Sequence, residues 1–192
     1  MHSIISNARN LFAENGFDRT TIDAIAELSG VSKMTIYSHF KSKEELFGAI
    51  VLSKVEDEFA IRGHKLEAHH PEVGLPKIAQ QFLSLMRKDE VLGTYRTMFA
   101  STSTHPELCR VFYQNGPVNV HREVAEYLKK CADAGSLSIT DCDAAATQFL
   151  SLFVGLDHMK CLLGLGKPTK KEDADLISSN VEFFIKAKSV SS

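Results

Sequence analysis

The sequence predicts an all-α protein, and three observations carry that prediction. Apolar residues recur at three- and four-residue spacing along nearly the whole chain. Glycine and proline interrupt that pattern at intervals suited to short helices. No stretch alternates at period two between hairpin turns, and no internal repeat is evident. With 192 residues, 44% of them hydrophobic and 24% charged, the chain has ordinary globular composition and room for a sizeable core. Roughly nine or ten helices are expected.

Ile4, Ile5, Ala8, Leu11 and Phe12 mark the first helix, which Gly16 ends as a left-handed cap. Thr20, three residues before Asp23, gives a capping-box-like start to a second helix carrying Ile22, Ile25, Ala26 and Leu28, closed by Gly30. Ser32 caps a third, short helix through Phe40. Ser42 and Glu45 form an S-x-x-E box for a fourth, whose apolar residues Leu46, Phe47, Ile50, Val51, Val55 and Phe59 carry it past residue 55. The pattern dissolves over 63–71, HKLEAHHP included, the best candidate for a boundary. Helices resume with Leu75, Ile78, Phe82, Leu85 and Met86, then over 91–99. A short helix follows His105-Pro106 and stops near Asn115-Gly116-Pro117. Val118 to Ala134, Asp141 to Leu163 and Glu172 to Lys186 complete the set.

The net charge of −2 excludes a surface that binds nucleic acid or membrane all over, so any such function needs a local patch. GVSKMTIYSHFKSKEEL, residues 30 to 46, supplies one. Between Gly30 and Lys43 the charged residues are Lys33, Lys41 and Lys43, with His39 beside them and no acid. Two helices joined at Ser29-Gly30-Val31 read as a helix-turn-helix, the first bracing and the second presented outward. Ile36 and Phe40, four apart, should anchor the second with Val31. Lys33 can then reach guanine O6/N7 or a phosphate, Met34 and Thr35 a thymine methyl, and Tyr37 and His39 phosphates. Tyr37 could equally pack on the neighbouring helix with its hydroxyl exposed.

These residues carry a family resemblance. Residues 4 to 47 combine LFxxxGF, TTxxxIA, GVSKxTxY and HFxSKEEL in order, and resemble the DNA-binding domain of the TetR/AcrR family of bacterial transcriptional regulators. HPELCRVFYQNGP, from His105, is similar to the C-terminal domain of AefR-like members. The resemblance implies a helix-turn-helix domain over 1–47, joined by a long helix to a helical ligand-binding and dimerisation domain over 48–192. Thr20, Thr21, Lys33, Met34, Thr35, Tyr37, His39 and Lys43 match the family's DNA-contacting positions. Many members carry glycine where Met34 stands, so base preference does not transfer. The chain opens on Met1-His2-Ser3, so the basic arm of many relatives is reduced and minor-groove contact is not expected.

One reader of this size spans few base pairs, so a homodimer on a palindromic double-stranded operator is expected. The last two helices, with Phe149, Leu152, Phe153, Leu156 and Phe184, are the expected interface, forming a four-helix bundle with the twofold mate by the resemblance; each is alternatively a core residue. Phe82, Met86, Tyr95, Met98, Phe99, Phe112, Tyr113, Phe149 and Phe153 could line an apolar cavity, with Arg96, Gln114, Asn115 and His121 as polar contacts. Aromatic and methionine residues at this spacing also build ordinary cores. The expected function is a repressor released from its operator by a small apolar or amphipathic effector. The alternative is an effector-independent DNA-binding dimer with an architectural or protein-recruiting role.

No cofactor is expected and no enzymatic motif is present: no Walker loop, GxSxG, HExxH or GxGxxG. Asp157, His158 and Cys161 lie on nearby turns, but no second clustered pair completes a metal or nucleophile site. Cys109, Cys131, Cys142 and Cys161 include no CxxC pair and read as free thiols. The most apolar segment, Phe149 to Leu165, is broken by Asp157, His158 and Lys160 and falls short of a membrane span. With no secretory signal pattern at the N-terminus, a cytoplasmic protein is expected.

Overall fold

The computed structural model describes residues 2–59, 61 and 66–189; Met1 and positions 63–65 of the expected boundary lie outside them. Among the described residues there are eleven helices and no strand: α1 (His2–Arg19), α2 (Ile22–Ser29), α3 (Lys33–His39), α4 (Lys43–Glu58), α5 (Pro71–Met86), α6 (Asp89–Ala100), α7 (Pro106–Asn115), α8 (Pro117–Asp133), α9 (Cys142–Ser151), α10 (Leu156–Leu162) and α11 (Lys170–Ala187). The chain forms two compact units, Met1–Glu56 with Met98–Val118, and Asp57–Thr97 with Asn119–Ser192.

In the first unit, Ile4, Ala8, Ile22, Ile25, Ala26, Ile36, Phe40, Leu46 and Ile50 converge from α1 to α4 into one core. These are the apolar positions that the helical spacing picks out. A second cluster joins Phe47 to Met98 and Leu108, with Phe12, Phe17 and Phe112 against it. Residues far along the chain thus complete the unit that holds the helix-turn-helix.

Several boundaries differ from expectation, each for a local reason. Gly16 interrupts α1 at φ 77°, ψ 171°, an extended positive-φ conformation reserved to glycine, rather than a left-handed cap. The cap of α2 is Thr21, whose side chain accepts from the amide of Ala24, and not Thr20. The predicted helix over Asp141 to Leu163 is two helices, because the chain turns between Ser151 and Leu156. There Asn180 Nδ2 donates to the Leu152 carbonyl at 2.7 Å and so closes the end of α9. α11 starts at a capping box, with Thr169 and Glu172 each bonding the other's backbone, two residues before the expected Glu172.

In the second unit a chain of edge-to-face rings runs Phe59, Phe82, Phe153, Phe149, Phe184, with centroids 5.1 to 6.5 Å apart. Such contacts hold a core in one arrangement, since each ring fixes the tilt of the next. Phe149, Phe153 and Phe184 are therefore buried inside the protomer, which corrects their assignment to a dimer interface.

Candidate nucleic-acid interface

The turn between α2 and α3 is set by Gly30, at φ 65°, ψ 29°. A side chain there would meet its own backbone, and glycine removes that penalty. The Gly30 amide reaches the Glu27 carbonyl at 3.1 Å and the Val31 amide the Ala26 carbonyl at 3.1 Å, so α2 ends with its last carbonyls satisfied. Ser32 then caps α3 by accepting from the Thr35 amide at 3.0 Å.

Ile36 is fully buried and Phe40 nearly so, which points the opposite face of α3 at solvent. Met34 is 75% exposed and Tyr37 42% exposed on that face. Lys33, Ser38 and His39 are exposed with them, and Thr35 is half-buried, its hydroxyl 2.9 Å from that of Ser32. Thr21 lies exposed at the start of α2. Exposed large apolar side chains on a short helix are costly in water, and here they alternate with hydroxyls and a cation. Such a surface suits a base-pair edge, with its methyls and its hydrogen-bonding groups.

Lys33 is not idle in the free protein. Its ammonium lies 2.9 Å from the Asp23 carboxylate of α2, and that hydrogen bond and charge hold its pKa above the usual lysine value. The pair is exposed, so a phosphate can take the lysine over at little expense. Sequence reading missed this pair, although a carboxylate ten residues back on the bracing helix was the available signal. Lys41 was likewise left out of the contact set and is exposed just beyond α3.

Two predicted contacts fail. Thr20 is 2% exposed, and its hydroxyl lies 3.0 Å from the Leu11 carbonyl and 2.8 Å from that of Gly16, closing the end of α1. It is frame, not surface. Lys43 also turns inward: its Nζ donates to the Phe17 and Thr20 carbonyls at 2.8 and 3.0 Å and sits 4.3 Å from the centre of the Phe17 ring. A cation at the carbonyl end of α1 is favourable for the same reason that phosphate favours the other end.

The residues expected to line an effector cavity are dispersed. Phe82, Met86, Phe149 and Phe153 are buried in the second unit. Met98 and Phe112 belong to the cluster with Phe47 in the first. Phe99 and Tyr113 are exposed, which removes them from any enclosed lining. His121 Nε2 lies 2.9 Å from the Asp143 carbonyl and 3.1 Å from Thr147 Oγ1, tying α8 to α9, so its role is structural. Arg96 donates to the Cys161 and Leu162 carbonyls, both at 2.6 Å, and closes α10. The first unit holds an open groove of about 540 Å³, lined by His39, Phe40, Glu44, Leu52, Glu107 and Val111 among others. Of the expected cavity residues, Asn115, named as a polar contact, lines it, and none of the aromatic or methionine residues does.

Comparison with known proteins agrees with this geometry. Residues 4–50 match the family of bacterial regulatory proteins of the tetR type, and residues 73–187 match the C-terminal domain of AefR-like transcriptional repressors. The chain is 29% identical over 157 residues to the HTH-type transcriptional regulator YhgD of Bacillus subtilis, covering 80% of each chain. Over 44 residues, 23% of this chain and 24% of the relative, it is 46% identical to IcaR of Staphylococcus aureus, a negative transcriptional regulator of a biofilm operon. The solved structure of the flavonoid-responsive regulator FrrA is 31% identical, with a TM-score of 0.77, and the match covers 100% of this chain and 97% of that one. With both halves matched and the reading helix presented as described, the chain belongs to the TetR family of DNA-binding transcriptional regulators, with an AefR-like C-terminal domain.

Proposed function

We propose that the protein is a repressor that binds an operator of two half-sites as a homodimer and leaves it when a small effector binds. The observation that carries the DNA-reading half is the face of α3: Met34 and Tyr37 stand out from helix positions anchored by the buried Ile36 and Phe40. Lys33, Met34, Thr35, Tyr37 and His39, with Thr21 from α2, are the proposed contacts, and Lys41 joins them. Lys33, Lys41 and His39 position the helix on phosphates; Met34 and Thr35 read bases. Residues 1–47 act as the reader and the remainder carries effector binding and dimerisation.

Repression is supported by the relatedness of the reader to IcaR, and ligand response by the similarity to a flavonoid-responsive regulator across the full chain. Release requires only that the effector bind one conformation better than the other, and a coupling of about 1–3 kcal/mol is typical. No described helix is long and apolar enough to cross a membrane.

For dimerisation, the support is an exposed apolar set in the second unit: Val154, Leu156, Met159, Leu163, Leu165 and Phe183. Five of these six fall within residues 154–165, and exposed apolar surface beyond scattered single residues is characteristic of an interface. Of the residues expected at the interface, Leu156 is in this set, and Leu152 is half-buried.

The test is recovery of genomic fragments by the purified protein, followed by footprinting. A protected palindrome with major-groove contacts about one helical turn apart is expected. Tyr37→Ala should weaken binding to every recovered operator alike, whereas Met34→Ala should change the preferred base. Affinity unaffected by both would remove α3 from the role.

A further inference from the structure

The second unit contains a buried polar cluster that the DNA-reading function does not use. Arg87, at the end of α5, reaches Asp173 Oδ1 of α11 at 3.2 Å with Nη2 and Cys161 Sγ of α10 at 3.5 Å with Nη1. His158 lies one turn before Cys161 on α10, close enough to Arg87 for the guanidinium charge to act on its ring. The Tyr95 ring of α6 meets the His158 ring edge-on at 6.3 Å.

Two nitrogens in this cluster have no hydrogen-bond partner among the described residues: Arg87 Nε and His158 Nδ1. The side chain of Arg87 retains 10% of its exposure and His158 retains 7%. A guanidinium Nε is always a donor, and a histidine nitrogen is a donor in one tautomer or when protonated. Buried donors are rarely left bare, and each one calls for an explanation. Asp173 Oδ1 already accepts from Arg87 Nη2, and neither bare nitrogen reaches an acceptor of the described residues. A ligand that brings acceptor atoms of its own would complete the cluster.

We propose that Arg87 and His158 form the recognition point for the carboxylate of a small organic acid, which is the effector of this regulator. The proposal rests on the ligand-released reading above and names the chemical class of that ligand. A carboxylate offers two acceptor oxygens, one for each bare nitrogen, and a charge-assisted bond to arginine is among the stronger polar contacts.

Charge balance adds a signature. Arg87 and Asp173 neutralise each other. Burial, and then the positive charge of Arg87, hold the pKa of His158 below the usual histidine value, so the ring is neutral at pH 7. The other groups packed around it do not compensate an added anion. Arg96 of α6 is committed to the α10 carbonyls, and Asp157 and Lys160 of α10 pair with each other at 3.0 Å. Tyr95 is pushed up to about 12 by burial and stays a neutral phenol. An incoming carboxylate is thus best balanced by protonating His158, and binding takes up a proton.

The experiment uses the full chain and a matched panel: decanoate and 3-phenylpropanoate, the alcohols with the same skeletons, and the corresponding amines. Binding is followed by calorimetry between pH 5 and pH 8, and operator release by a mobility shift. Carboxylates should bind at least tenfold tighter than the alcohols. Their affinity should strengthen as pH falls, by up to about tenfold per unit between the depressed and restored histidine values.

His158→Phe should lose at least tenfold and flatten the pH profile. The double variant Arg87→Met with Asp173→Leu removes the pair together, so no lone charge stays buried, and it should lose carboxylate binding while still binding operator. Carboxylate affinity equal to that of the alcohols, no binding by any carboxylate, or unchanged affinity in folded variants would overturn the proposal. Release by an alcohol or amine alone would overturn the anion site and leave ligand response standing. Carboxylate binding with the predicted variant losses but no operator release would support the anion site and overturn the release reading.

Discussion

At Lys43 the ammonium lies against the Phe17 ring and takes carbonyls at the end of α1, so its charge stabilises the reader's own frame. Lys43→Met keeps the length of the side chain and removes the donors. It should lower folding stability by about 1.5–3 kcal/mol in chemical denaturation, the range for a bond from a charged donor, while operator affinity at low temperature stays within about twofold. Stability equal to the parent, with weakened operator binding, would return Lys43 to the phosphate contacts. Thr20→Val should behave similarly, since it strips the hydroxyl from two carbonyls at a buried site. His158 gives stability a pH dependence. Its folded pKa is lowered, so the unfolded chain binds the proton more readily. In ligand-free protein, stability should therefore fall as pH drops below about 6.5, the unperturbed histidine value, down through the depressed folded one. His158→Phe should remove that share of the loss in denaturation midpoints measured across pH. Residue spacing identified Ile36 and Phe40 as inward because helical period dictates face. It misplaced Lys43 and Thr20 because the direction of a side chain near a helix end depends on carbonyls supplied by another helix.

Among the elements, α4 and α7 show how close two helices in the first unit approach. A Cβ on Gly48 would lie 2.8 Å from Val111 Cγ1 and 2.9 Å from Asn115 Nδ2. Valine is stiff at χ1 and Asn115 is held by its bond to the Val111 carbonyl at 2.9 Å, so neither yields cheaply. Gly48→Ala, which in an open helix would gain about 1 kcal/mol, should here destabilise by about 1–3 kcal/mol through overpacking. A thermal melt equal to or above the parent's would show that the crossing relaxes. Helix existence and type were largely legible, because the helices carry their own apolar period and α2, α3, α9 and α11 their own side-chain cap. The break between α9 and α10 was not, since apolar residues continue through it and the side chain that closes α9, Asn180, comes from α11.

For the whole molecule, the exposed apolar residues of the second unit make dimerisation testable without disturbing the core. Leu156 is 83% exposed and Leu163 is also on the surface. Leu156→Glu with Leu163→Glu should give a folded monomer by sedimentation, with operator binding reduced by more than about tenfold. A dimer of undiminished affinity would move the interface elsewhere. Charge at Phe153, by contrast, should unfold the second unit, because that ring packs between Phe82 and Phe149. The all-α class, the helix-turn-helix and the outward face of α3 were determined by the sequence alone, for they depend on local period, caps and one glycine turn. Tertiary structure decided which basic and hydroxyl side chains stay on the surface and which of the C-terminal aromatics are core. It also brought Arg87 beside His158. Those outcomes depend on contacts between residues tens of positions apart, and no local pattern records which partners the folded chain will supply.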